Sequence, residues 1–406
     1  GVTHRKGKND APRALPGEPG SPWAIGAKEG GHTAVDAGLG TLDDFDHFAS
    51  AAKDVGIDVA LDFAVQCSPD HPWVSEHPDW FEHRADGSIR YAENPPNEYR
   101  DVYRVDFDTA DRAGLYGELY RVVMFWISHG VRFFRVDNPH TKPLFFWEWL
   151  IGKVQAEHPD IVFLAEAFTR PKMMKALAKA GFTQSYTYFT WRNDKRELEE
   201  YLTELTETDM RHYFIPNFFA NTHDVLPPIL QTGGAPAFRM RAVLAATLSP
   251  SYGIYSGYEL CEASALPGKE EYLDSEKFEI RVRDYEAPGN LNAFFTELNR
   301  IRRENRALQE LANLTFLATD SDNILAYAKC SRDRMNVLLV VVNLDPFAAH
   351  DAYVEVPVTT LGGDVARGLA ALDLFTGARY TWGEKNYVRL EPHLPAHILL
   401  VQATTS

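Results

Sequence analysis

Val131-Arg-Phe-Phe-Arg-Val-Asp-Asn-Pro-His140 reads as a buried strand that ends in charged groups, and Ile161-Val-Phe-Leu-Ala-Glu166 reads the same way. Between them, residues 143–157 carry apolar side chains at helical spacing. Strand, helix, strand is a parallel unit. It leaves Asp137 and Glu166 at the tips of two apolar strands. Burying an unpaired carboxylate is costly, so packing alone does not put charge there. Two acids so placed suit a sugar-cutting pair on a barrel, where active sites gather at the C-terminal ends of the strands.

The alternation continues on both sides. Thr41 to Val55 reads as a helix with Thr41 as N-cap and acids in its first turn, and Ile57 to Val65 as a buried strand. Leu115 to Ser128 is helical. After Glu166 come a helix at 171–180, a strand at 184–189 and a helix at 194–206. A strand at 214–220, a helix at 236–248, a short strand at 252–256 and a helix at 290–304 complete the series. That makes six strands, where a closed (β/α)8 TIM-type barrel has eight. Residues 1–41 have loop composition and supply neither missing strand. The expected fold is therefore α/β: a barrel lacking its first two strands, with a six-stranded open sheet as the alternative. The expected partial barrel covers 1–66 and 108–305. Residues 67–107, rich in proline and aromatics, form an insertion after the third barrel strand, the one that holds Asp62; a loop of that length is usually functional. From 311 to 406 the pattern changes to strands separated by turn residues, which predicts a separate antiparallel β domain.

The composition narrows the function. A formal net charge of −16 over 406 residues argues against nucleic acid or an anionic membrane as partner, though not against a small anion held in a local basic pocket. Cys67, Cys261 and Cys330 are too few and too scattered for a disulfide framework or a metal site, which favours a reducing cytoplasm. No stretch has the apolar length to span a membrane, and no signal peptide is evident.

Strand side chains alternate faces, so Arg135 and Asp137 share one side and Val136 takes the other. A guanidinium keeps a neighbouring carboxylate ionised, and an ionised, desolvated carboxylate is a nucleophile. Asp137 reads equally as an N-cap for the next helix. Glu166 reads alternatively as an ion-pair partner of Arg170, Asp224 as an N-cap, and Asp62 as a satisfied core aspartate.

Taken together, the segments carrying Asp62, then Arg135, Asp137 and His140, then Glu166, then His223-Asp224 resemble the four signature regions of the α-amylase superfamily, glycoside hydrolase family 13. The resemblance implies Asp137 as nucleophile, Glu166 as general acid/base and Asp224 as transition-state stabiliser. It also implies that the final β domain is a C-terminal antiparallel β-sandwich. The first region departs from the amylase pattern, with Gln66 and Cys67 where Asn and His are usual. Arg5-Lys-Gly-Lys-Asn9, Gln66-Cys-Ser-Pro-Asp-His-Pro-Trp73, Ala92-Glu-Asn-Pro-Pro96, Arg135-Val-Asp-Asn-Pro-His-Thr-Lys-Pro143, Ala165-Glu-Ala-Phe-Thr-Arg-Pro171, Gln184-Ser-Tyr-Thr-Tyr-Phe-Thr-Trp191 and Tyr272-Leu-Asp-Ser-Glu-Lys277 resemble a narrower group, the α-1,4-glucan:maltose-1-phosphate maltosyltransferases. That resemblance spans essentially the whole chain and leaves out the family's N-terminal portion.

The narrower resemblance implies that Lys6, Asn94, Tyr99 and Asn138 hold the donor phosphate, and that Gln66, Asp101, Arg135 and Lys277 hold the maltosyl unit. A lysine and neutral donors suit a phosphate dianion. The implied partners are α-maltose 1-phosphate and an α-1,4-glucan, without cofactor or metal, and the implied full-length assembly is a homodimer. Asp10 stands where the family tends to place asparagine, so it is expected to turn away from the donor or to pair with Lys6 or Lys8. His223 stands where this group would carry proline. The competing readings are an α-glucan hydrolase or transglycosidase that acts without phosphate, and an inactive carbohydrate-binding chain.

Overall fold

The computed structural model describes residues 5–94, 97–278 and 281–403. Pro95 and Pro96 of the Ala92 to Pro96 stretch lie outside the described residues. The chain divides into two compact units, Gly1–Tyr186 with Asp274–Arg281, and Thr187–Leu273 with Val282–Ser406.

The first unit runs α1 (Leu42–Asp54), β1 (Ala60–Phe63), α2 (Pro72–Glu76), β2 (Tyr91–Asn94), β3 (Asn97–Tyr103), α3 (Arg112–Ser128), β4 (Phe133–Asp137), α4 (Leu144–Glu157), β5 (Val162–Glu166), α5 (Pro171–Lys179) and β6 (Gln184–Tyr186). The parallel strands follow the order β1-β4-β5-β6. Alternation along β4 explains its place. Phe134 and Val136 are fully buried in a core with Leu119, Val123, Trp147 and Phe163, and the opposite face of the strand carries Arg135 and Asp137. Phe134 stacks on Phe163 with ring centroids 5.6 Å apart. The Trp147 indole donates to the Pro139 carbonyl at 2.9 Å, so α4 pins the loop that leaves β4. Thr41 caps α1 as expected, within a capping box completed by Asp44.

The second unit runs α6 (Lys195–Glu207), β7 (Pro216–Phe219), α7 (Pro228–Thr232), α8 (Gly234–Leu248), β8 (Ser251–Gly253) and α9 (Asn292–Glu304), with β7 parallel to β8. Strands β9 (Leu314–Leu317), β10 (Ile324–Cys330), β11 (Val337–Asn343), β12 (His350–Glu355), β13 (Leu369–Asp373), β14 (Arg379–Trp382), β15 (Lys385–Leu390) and β16 (Ala396–Ala403) follow. They form an antiparallel sheet of order β14-β13-β16-β11-β10-β9 and the pair β12-β15. All seven residues of β11 are buried, as a strand paired on both sides and covered on both faces requires. Six parallel strands alternating with helices, four in the first unit and two in the second, with antiparallel sheets after them, are the partial barrel and C-terminal β region expected.

Three expectations need correction. The strand expected from Ile57 to Val65 covers only Ala60–Phe63, and Ile57 is exposed; among the described residues β1 pairs with β4 alone, so its outer side lacks a covering neighbour. The strand expected at 184–189 stops at Tyr186 and gives way to a 3-10 turn over Tyr188–Trp191, begun by the Thr187 hydroxyl accepting from the Phe189 amide. Strands β2, β3, β9, β14 and β15 are additional to those anticipated.

The insertion is tied to the rest of its unit by two neutral histidines. His32 Nε2 lies 2.8 Å from the Ala64 carbonyl, which can only accept, so that nitrogen carries the proton and Nδ1 accepts from His71 Nε2 at 3.0 Å. The Trp73 amide donates to His71 Nδ1 at 3.1 Å. Burial lowers His32 to a pKa of about 4; burial and then the His32 charge lower His71 to about 3. Below pH 6.5 the unfolded chain takes up these protons and the native chain does not, so stability falls with acidification through that window. Stability is expected to drop by about 1–1.5 kcal/mol per histidine between pH 6.5 and 5, where carboxylates stay ionised in both states. Urea unfolding at several pH values measures it. A flat profile that stays flat in His32→Gln would refute the assignment.

Candidate active site

Arg135 organises the end of the first unit's sheet. Its Nη1 lies 3.3 Å from Asp62 Oδ2 and 3.1 Å from Asp137 Oδ1, and its Nη2 lies 3.5 Å from Glu166 Oε2. Register explains the convergence. Asp62 is paired with Arg135 across β1 and β4, and Asp137 with Glu166 across β4 and β5. Neighbouring strands run about 4.8 Å apart, so the two acids stand side by side. The Arg135 side chain is only 6% exposed, Glu166 9% and Asp137 17%. Burial works to lower the Arg135 pKa, but the fields of Glu166, Asp62, Tyr186 and Asp137 outweigh it and hold the guanidinium well above its ordinary value.

This geometry bears on the alternative readings of these acids. Asp137 caps no helix: the 3-10 turn Pro139–Thr141 is entered through Asn138, and α4 through Pro143. Glu166 accepts from the Asn138 amide at 3.2 Å in addition to facing Arg135. Asp62 is not a core aspartate; its side chain is 39% exposed and accepts from the Trp23 indole at 2.9 Å. Asp224 does not cap α7, whose N-cap is Pro227.

A chain of amides runs from the insertion to Asp137. Asn138 sits in the left-handed region at φ 44°, a conformation asparagine tolerates. Its Nδ2 lies 3.4 Å from each Asp137 carboxylate oxygen. Asn94 Nδ2, at the end of β2, donates to Asn138 Oδ1 at 3.0 Å, and His140 Nε2 lies 3.2 Å from Asn94 Oδ1. Since that oxygen accepts, His140 carries its proton on Nε2. Burial, then the Lys142 charge, lower the His140 pKa to about 4, so the ring is neutral. Lys142 is a buried cation that sequence reading passed over, although it lies inside the Arg135 to Pro143 stretch. Its Nζ donates to the carbonyls of Asp137 at 3.3 Å and Asn138 at 3.2 Å. Burial lowers its pKa to about 8 against the pull of Asp137 and Glu166. Trp23 and Tyr186 were passed over as well.

The other anticipated residues fall into separate groups. The Lys6 amide donates to Asp101 Oδ2 at 2.9 Å, and Asp101 is buried. Lys6 Nζ faces Asp10 at 3.6 Å, one of the two outcomes expected of that aspartate. Tyr99 packs beside Ala24, Ala92 and Val102. Gln66 keeps its Oε1 buried without a hydrogen-bond partner among the described residues. Lys277 lies in the 3-10 turn Glu276–Phe278, its ammonium 5.2 Å from the Phe278 ring centroid. In the second unit, His223 Nε2 lies 2.9 Å from Asp224 Oδ2. Beneath that pair Asn221 is fully buried, donating to the Tyr272 hydroxyl at 2.5 Å and accepting from the Tyr255 amide at 2.8 Å.

Among the described residues, His32, Cys67 and His71 have metal-ligand spacing, their donor atoms within 4.8 Å of one another. Cysteine spacing alone could not find this group, because its other members are histidines from separate loops. For His71 to ligate through Nε2 as a neutral ring, its proton must move to Nδ1, which already accepts from Trp73. The two histidines are hydrogen-bonded to each other, and the Cys67 thiol donates to the Val65 carbonyl at 3.7 Å. No described helix is long and apolar enough to cross a membrane.

A family model described as "GLGE, C-terminal" matches residues 316–401. The chain is 55% identical to α-1,4-glucan:maltose-1-phosphate maltosyltransferase 1 of Streptomyces coelicolor, covering 99% of this chain and 60% of that protein. It is 53% identical to the maltosyltransferase of the same name from Pseudomonas aeruginosa, covering 99% of this chain and 61% of that protein. The chain thus spans about 60% of the length of these curated relatives. Among solved structures, an α-amylase from Geobacillus thermoleovorans in complex with acarbose is similar at a TM-score of 0.73 and 15% identity, covering 100% of this chain and 88% of that one. An Anoxybacillus α-amylase gives 0.72 and 16%, over 92% of this chain and 82% of that one. At such identities the likeness speaks for the fold.

Proposed function

We propose that this chain, a segment belonging to the α-1,4-glucan:maltose-1-phosphate maltosyltransferase family, carries that family's chemistry: transfer of a maltosyl unit from α-maltose 1-phosphate to the non-reducing end of an α-1,4-glucan, with retention. The observation that supports it most is the single guanidinium of Arg135 held against Asp62, Asp137 and Glu166, with the last two side by side in register.

The Asp137 carboxylate attacks the anomeric carbon, and the bond from that carbon to the phosphate oxygen breaks, its electron pair leaving with phosphate. Phosphate is a good leaving group, so Glu166 need protonate it little. The glucan 4-hydroxyl then gives its proton to Glu166, attacks the same carbon and expels the Asp137 carboxylate. Two inversions leave an α-linked product. Asp224, beside His223, is assigned the stabilisation of the oxocarbenium-like charge. Lys6, Asn94, Tyr99 and Asn138 take the phosphate, which competes with Asp10 for Lys6. Gln66, Asp101, Arg135 and Lys277 take the maltosyl unit. The 67–107 insertion keeps water from the ester intermediate. We also read 1–66 with 108–305 as the barrel part and 311–406 as the β domain. Three free cysteines suit a reducing cytoplasm, and the full-length protein is assigned a homodimeric state.

Glu166→Gln separates the two steps. Rapid mixing with α-maltose 1-phosphate is expected to show a burst of one phosphate per site, followed by turnover slowed by about 10²–10⁴-fold, because the second step has lost its base. Slow phosphate release with no burst would mean that Glu166 acts on the first step, as in an ordinary hydrolase.

A further inference from the structure

Lys142 is 7% exposed, and its ammonium meets two neutral groups, the carbonyls of Asp137 and Asn138. Two carbonyls replace water poorly around a cation, and burial pulls the Lys142 pKa down to about 8. A neutral side-chain donor would satisfy the same carbonyls at lower cost. Packing therefore gives no reason for a charge at this place. The turn that it grips gives one.

The peptide unit between Asp137 and Asn138 is planar, and a trans unit points its C=O and N–H in opposite directions. Lys142 holds the oxygen at 3.3 Å, and Glu166 Oε2 accepts from the nitrogen at 3.2 Å. Cation and carboxylate thus hold opposite edges of a single rigid plate. The next carbonyl, that of Asn138, is held by Lys142 at 3.2 Å and by Thr141, through its hydroxyl at 2.8 Å and its amide at 3.1 Å. The Pro139 carbonyl is held by Trp147 at 2.9 Å. These bonds keep Asn138 left-handed at φ 44°, a conformation uncommon outside glycine. If the plate turns, the Asn138 amide leaves Glu166. The Asn138 side-chain amide, 3.4 Å from each Asp137 oxygen, shifts with the backbone that carries it.

We propose that Lys142 is a positioning residue for the transfer reaction, acting through the Asp137–Asn138 peptide to aim its N–H at Glu166. The reaction rests on the maltosyltransferase reading; the grip on the peptide does not. Among the described residues, the charged or titratable groups around the ammonium are Asp137 on β4, Glu166 on β5, Arg104 after β3 and His140 in the 3-10 turn. Arg104 is itself paired with Glu82 at 2.7 Å, and Glu93, Asp106 and Asp108 line the cleft that Lys142 borders. His140 is already neutral at pH 7, whereas Lys142 loses its charge as pH rises through about 8. Its charge-assisted bonds to the two carbonyls then weaken.

With α-maltose 1-phosphate and maltotetraose saturating, kcat of the wild-type protein is expected to fall between pH 7 and 9.5, with a midpoint near 8. Lys142→Met is expected to lower kcat at pH 7 by about 10²-fold, the cost of a displaced catalytic group, with KM for both substrates within about threefold and no alkaline fall. Lys142→Arg keeps its charge at every pH used, and is expected to come within about fivefold of wild type and to hold that activity at pH 9.5. A lysine that only braced the fold would lower the melting temperature and leave the pH profile as in wild type. A flat wild-type profile, a Met variant that keeps its kcat, or one that retains the alkaline fall overturns the proposal.

The peptide can also be followed without turnover. In a 15N–1H correlation of the wild-type protein, the Asn138 amide should move as pH rises through 8, and in Lys142→Met it should stay in place. An amide that stays in place in the wild type overturns the grip. An amide that moves in a protein that leaves α-maltose 1-phosphate untouched would sink the maltosyltransferase reading and leave Lys142 holding the peptide. Both wild-type measurements stand whether or not a variant folds.

Discussion

Asp137→Ala is expected to lower phosphate release from α-maltose 1-phosphate by about 10⁴-fold or more, with glucan present or absent, while the protein stays folded. The size follows from the role. Without the carboxylate no ester forms, and the transfer step that follows has no substrate. Folding survives because the change removes one of three acids facing Arg135, leaving Asp62 at 3.3 Å and Glu166 at 3.5 Å. The guanidinium therefore keeps counter-charges. Asn138 keeps its amide bond to Glu166, and Lys142 keeps its carbonyl partners, since both rest on backbone and on Glu166. A stopped assay for free phosphate, run beside a thermal melt, reads both halves. Release that persists at wild-type rate removes Asp137 from the chemistry. Lost release with a lost fold calls for Asp137→Asn, which keeps the shape of the side chain.

The site was legible where local pattern and chemistry coincide. Asp137 and Glu166 stood out because charge at the end of an apolar strand has no packing reason, and strand register then set them side by side. What stayed hidden was contact between distant segments. Nothing in Ala92 to Asn94 announces a hydrogen bond to Asn138 across 44 residues, and nothing in Trp23 announces Asp62. Lys142 was hidden for another reason: a lysine five residues beyond a strand reads as solvated, and only the fold turns its ammonium back onto the carbonyls of Asp137 and Asn138. In the fold, the alternation of helix and strand came through because each element is long or strongly apolar. Strands β9, β14 and β15 of the C-terminal region did not. Lys385 to Leu390 alternates in burial, but its outward positions are charged or aromatic, and its pairing with β12 is a tertiary event. Ile57 misled because apolar composition predicts burial, while it lies three residues before β1 begins and is exposed.

Arg135→Met tests the electrostatic core of the site and carries the largest expected cost to stability, about 3–5 kcal/mol at pH 7.5, the range for removing one side of a buried charge cluster. Methionine fills much of the volume, so the loss is electrostatic rather than a cavity. Glu166 and Asp137 would remain mostly buried and facing like charge, which pushes one of their pKa values up. That gives the loss a sign with pH. In the variant the folded state binds a proton more readily than the unfolded chain, so stability lost at high pH returns as pH falls through the raised pKa. The difference between variant and wild type should therefore be smaller at pH 5.5 than at pH 7.5. The acid weakening from His32 and His71 is common to both proteins and cancels in the comparison. Arg135→Lys should recover only part of the loss, because one ammonium cannot reach Asp62, Asp137 and Glu166 together as two guanidinium nitrogens do. Urea unfolding of the three proteins at the two pH values decides it. A pH-independent difference, or a lysine variant as stable as the arginine protein, would show that the three carboxylates do not depend on one fork-shaped cation.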